Sequence, residues 1–90
     1  MLGLLLTAHA AQRCRCRAIP HAAVAAALDH GGRRLIRGAE VYTLGWREVD
    51  RCAVAGLDFS RFEGTEVVCA HSGEILTVYR NRRVRRSRRY

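Results

Sequence analysis

The spacing of apolar positions changes along this chain, and each change marks an element. "LGLLLT" at the start is a near-continuous apolar run and predicts a short buried strand. From His9 to about Ala18 there is no glycine and no β-branched residue, so a helix is predicted. Ile19 precedes Pro20, whose ring disfavours helical geometry in the residue before it, and the helical segment breaks there. Pro20 suits the first turn of a second helix, "PHAAVAAALDH". Val24, Ala27 and Leu28 give that helix its i, i+3, i+4 stripe, and Gly31-Gly32 stops it.

The pattern then becomes β-like. "RLIRGAEVYTLGW" is rich in β-branched and aromatic residues, with Gly38 as a turn or bulge. Tyr42 and Trp46 fall on one side of this strand and are expected in the core, with stacking on RNA as the lesser alternative. "REVDRCAVAGLDFSRFEG" predicts a helix from about Arg47 to Ala55, then a helical turn around Asp58–Phe62. In "EVVCAHSGEILTVYRN" two β-rich runs flank Ser72-Gly73, a hairpin signature. A two-residue turn would put Val67, Cys69, Leu76 and Val78 on one face. Val68, Ala70, Ile75, Thr77 and Tyr79 would share the other. The expected fold is α+β, an N-terminal strand and two helices packed on a small, mainly antiparallel sheet. One domain is expected over 1–80, followed by a basic tail over 81–90.

Charge sharpens this picture. The net charge is +8, and all 16 basic residues are arginine. Arginine suits bidentate contacts with phosphate and carboxylate, which points to nucleic acid or an acidic partner. A GC-rich genome would enrich arginine and alanine together, so the absence of lysine decides nothing alone. The distribution is more informative. "RNRRVRRSRRY", residues 80–90, holds seven arginines and no acid, whereas the rest carries nine arginines against eight acids. Arg80, Arg82, Arg83, Arg85 and Arg86 are therefore the candidate nucleic-acid-binding residues, gaining affinity by counterion release. A solvated tail with no ligand is the plainer reading of the same run.

"MLGLLL" is too short for a signal peptide or a membrane span, so no membrane partner is expected. The four cysteines, Cys14, Cys16, Cys52 and Cys69, are expected as free thiols in a reducing, cytoplasmic setting. Cys14 and Cys16 lie about 200° apart on a helix and cannot grip one ion together. No C-x₂₋₄-C pair is present, so neither a metal nor another cofactor is expected.

"HAAQRCRCRAIP" carries the candidate chemistry. His9, Arg13 and Arg17 follow at i, i+4, i+8, about 40° apart on the helical wheel, and form one stripe. Ala10, Ala11, Cys14 and Ala18 fill the adjacent sector and would pack on the sheet. An imidazole can move a proton near neutral pH, and arginines can bind phosphate and offset charge developing on it. Composition alone favours a plain exposed basic face; spacing allows the phosphate-binding one.

The pattern H-A-x-x-R-x-x-x-R-x-I resembles the opening helix of a bacterial family catalogued as domain of unknown function 4258. The likeness continues through "VAAALDHGG", "VYTLGWREV" and "EGTEVVCAHSGEILTVYRN", up to about Arg83. Ala18 stands where that family often has glycine, and Cys14 where a larger apolar residue is usual. The family is itself similar to the barnase–EndoU–colicin–RelE group of ribonucleases and toxins, a fold-level analogy. The resemblance implies a RelE/barnase-like fold and a metal-independent, toxin-like endoribonuclease. In that chemistry the RNA's own 2′-hydroxyl attacks the phosphodiester. His9 would be the general base or acid, with Arg13 and Arg17 on the scissile phosphate. Thr77 and Tyr79 would complete the catalytic set from the last strand. The implied partners are RNA and a neutralising protein antitoxin or other acidic partner. The alternative is a non-catalytic nucleic-acid- or ribosome-binding module, for which His9 is dispensable.

Overall fold

The computed structural model describes residues 4–85. Helix α1 spans Ala8–Cys16 and α2 spans His21–His30. Strands β1 (Gly32–Ile36) and β2 (Ala39–Leu44) follow, then α3 (Trp46–Val54), a 3-10 turn at Ser60–Phe62, β3 (Thr65–Cys69) and β4 (Ile75–Arg80). The four strands form an antiparallel meander in the order β1-β2-β3-β4. The chain is a small α+β fold, with α1 packed on β4 and α2 on β2 and β3.

Local rules account for the ends of the elements. Thr7 caps α1, its hydroxyl accepting the Ala10 N–H at 3.1 Å. At the other end Ile19 N–H reaches Cys14 O at 2.9 Å and Ala18 N–H reaches Arg15 O at 3.3 Å, a Schellman closure. That closure needs a left-handed residue, and Ala18 supplies it with φ 52°. Here lies a physical reason for glycine at this position: Ala18 carries a Cβ where only its absence is free of strain. Arg37 (φ 51°) and Gly38 (φ 81°) form the tight turn that makes β1 and β2 a hairpin rather than one long strand.

The core lies between the sheet and the helices. Ala10, Cys14, Ala23, Val24 and Ala27 from the helices meet Leu44, Val67, Cys69 and Val78 from the strands, all buried. Val49 of α3 joins the same cluster.

Several expectations need correction. The N-terminal strand reduces, among the described residues, to a single parallel bridge between Leu6 and Ile75. The β3–β4 register shifts between Val68 and Cys69, so Cys69 faces Ile75. This bulge turns Ile75 to the helix side, where it is 1 % exposed, instead of leaving it beside Thr77 and Tyr79. Trp46 is not a core strand residue. It opens α3 and is 40 % exposed. The body also continues past residue 80. Asn81 N–H bonds Gly64 O at 2.7 Å, and Arg82–Val84 form a 3-10 turn with Val84 half-buried beside Gly45.

Candidate functional site

Of the expected stripe, His9 and Arg13 meet on α1 as i, i+4 spacing requires. Arg13 Nε donates to His9 Nε2 at 3.3 Å, one helical turn apart, with His9 exposed and Arg13 half-buried. An imidazole that accepts at Nε2 carries its proton on Nδ1. Arg17, the C-cap, turns toward the edge of β4, and its Nη1 makes a long contact of 3.5 Å to Val78 O. Thr7 Oγ1 donates to Leu76 O at 3.3 Å farther along the same edge. Arg80 donates to Arg17 O at 3.1 Å and Ala18 O at 3.0 Å, clamping the end of α1 to the end of β4. These bonds gather Arg17 and Arg80 and hold α1 against β4.

Thr77 and Tyr79 do not join that group. Val67 pairs with Val78 in the helix-facing core, so by strand alternation Thr77 and Tyr79 project from the opposite face. Tyr79 belongs there to a different cluster. Its cross-strand partner is Glu66, a fully buried carboxylate at 1 % exposure. Arg34 Nη2 donates to Glu66 Oε2 at 2.9 Å, and Thr43 Oγ1 donates to the same oxygen at 2.6 Å. Burial, and then the neighbouring Glu66 carboxylate, hold the Tyr79 phenol above the ordinary tyrosine value.

The sequence reading missed Glu66, Arg34 and Thr43. One signal was available: "TEVVC" puts a carboxylate inside an otherwise apolar strand, and a buried carboxylate demands partners. The partners themselves come from β1 and β2, remote in sequence.

A cleft of about 400 Å³ opens beside this cluster, at the start of β1, the end of β2 and the start of α3. Arg34, Thr43, Trp46, Arg47 and Arg83 are among its walls. Of the tail candidates, Arg83 lines this cleft, while Arg82 and Arg85 are exposed beside it in the chain. Arg86 lies outside the described residues. Among the described residues no group of three or more His, Cys, Asp or Glu could hold a metal ion, and no helix is long and apolar enough to cross a membrane. The four cysteines are unbridged; Cys16 is exposed and the other three are buried.

No family model, no curated protein and no solved structure matches this chain.

Proposed function

We propose that this chain is a metal-independent, toxin-like endoribonuclease acting in the cytoplasm, with RNA as substrate and a protein antitoxin as its natural restraint. The observation that carries this reading is the hydrogen bond from Arg13 to His9, exposed on α1 with Arg17 and Arg80 at its end. An arriving phosphate competes for the Arg13 guanidinium and releases the Nε2 lone pair. Neutral His9 then takes the proton from the 2′-hydroxyl as O2′ attacks phosphorus. The bond from phosphorus to O5′ breaks, and O5′ leaves with a proton from the imidazolium or solvent. The products are a 2′,3′-cyclic phosphate and a 5′-hydroxyl. Arg13 and Arg17 offset the charge that develops on the phosphoryl oxygens. This step is assigned to α1 and its clamp; Thr77 and Tyr79, on the other face, take no part in it.

The test is total RNA incubated with the protein in EDTA, followed by mapping of new ends. Cyclic-phosphate ends are expected, with cleavage falling roughly 10²–10⁴-fold in His9→Ala. Arg13→Ala is expected to lose cleavage too. A second reading has its own support in the separation of Tyr79 and Thr77 from His9: a non-catalytic nucleic-acid- or ribosome-binding module. RNA that stays intact yet binds with steep salt dependence decides for that module.

A further inference from the structure

The cleft beside the Glu66 cluster has a composition that the α1 chemistry does not use. Trp46 is the one tryptophan of the chain, and 40 % of its surface is exposed. The residues that α3 sends into the body are Val49 and Cys52, so its first residue is left at the cleft wall. The Arg47 guanidinium lies over the indole, with Cζ 5.3 Å from the ring centroid. Arg34 also lines the cleft, and its Nη2 is fixed by the buried Glu66. A guanidinium has five N–H groups, so most of its donors remain for a ligand. Arg83 makes no side-chain hydrogen bond to a described residue in this structure. The carboxylate among the lining residues is Glu48, and its Oε1 already accepts the Gly45 N–H at 2.9 Å. The cleft therefore joins a part-exposed aromatic ring, with Arg47 over one face, to an excess of arginine, within a volume of about 400 Å³, the size of a small-ligand site.

We infer that this cleft binds one unpaired nucleotide of a single-stranded RNA, the base on Trp46 and its phosphate on Arg34 and Arg83. Bases offer a π-face to aromatic side chains whatever their sequence, and arginine forks fit phosphate. A base held in a duplex is already stacked on both faces and cannot reach the ring, so the site selects single strands. The inference rests on the nucleic-acid reading above, but not on cleavage. Glu66 acts here as a positioning residue: it holds Arg34 in place and touches no ligand.

The experiment uses the whole protein and a 2′-O-methyl oligonucleotide of about ten residues, which 2′-hydroxyl attack cannot cut. Trp46 emission reports the cleft, and anisotropy of a labelled strand reports total binding. Saturable quenching of Trp46 is expected, together with markedly weaker binding of the same sequence as a duplex. Trp46→Ala should weaken the single strand roughly tenfold, and Trp46→Phe, which keeps a ring, should recover most of that loss. Arg83→Ala should lower the slope of log affinity against log salt by about one. Thermal melts confirm that each variant is folded. Oligonucleotide binding with unchanged Trp46 emission overturns the inference, as does equal quenching by a polyglutamate peptide or failure of the strand to bind at low salt. His9-dependent cleavage with flat Trp46 emission removes this site and leaves the ribonuclease standing. Quenching without cleavage does the reverse.

Discussion

Neighbouring pairs in one β-ladder behave oppositely. Val67 and Val78, on the side covered by α1 and α2, are both fully buried among apolar side chains. One step along, Glu66 and Tyr79 face the side without those helices. There the buried group is a carboxylate, satisfied by Arg34 and Thr43, with Tyr79 across the strand. The first side is held by removal of apolar surface from water, which needs shape but little direction. The second is held by directed bonds that fail together when one member is lost. The contrast explains why candidate ligand chemistry gathers on the second side and along the β4 edge, where polar groups remain within reach of solvent.

The comparison is broken most severely from the helix side. Leu44→Ala empties a fully buried position in the main cluster and is expected to cost about 2–5 kcal/mol in urea unfolding. A loss under 1 kcal/mol would mean that the core collapses around the gap and is not the rigid half.

Next comes Glu66→Gln, which keeps the shape and removes the charge under Arg34. The expected loss is about 1–3 kcal/mol, with Arg34's own exposure holding it below the core variant. Tyr79 supplies an independent readout. Because its folded pKa is raised, its contribution to stability is complete below the free tyrosine value of about 10 and is lost as pH rises through the folded value. In Glu66→Gln the Tyr79 titration, followed by ultraviolet absorbance, should move down toward the ordinary value without reaching it, since burial is the larger cause. An unmoved titration would detach Tyr79 from the network.

The smallest effect has the opposite sign and lies at the seam between the two sides. Ala18→Gly relieves a left-handed alanine where α1 closes and Arg80 clamps it, and should raise stability by about 1 kcal/mol. Destabilisation would show instead that the Arg80 clamp depends on a stiff backbone there.

Much of the fold was legible beforehand because its causes are local. The proline break after Ile19, the small-residue face of α1, the stripe on α2 and the hairpin around Ser72-Gly73 all follow from residues a few positions apart. The stripe of His9 and Arg13 was legible for the same reason: i, i+4 neighbours on a helix must meet. The rest depended on non-local contact. A one-residue bulge moved Ile75 across the sheet, and alternation alone cannot foresee a bulge. Trp46 left the expected core because a helix begins at it, and it entered a cleft because β1 and the segment around Arg83 arrive there from distant parts of the chain.

The sequence by itself determined the helices, the closing hairpin, the α+β class and the His9–Arg13 pair, since propensity, capping and turn chemistry act over a few residues. Only the tertiary structure decided which face each β4 side chain takes. It alone gave Glu66 its partners, parted Tyr79 from His9, and made a cleft around Trp46. Those outcomes depend on strand register and on which surfaces meet, and both are fixed by the packing of the whole chain.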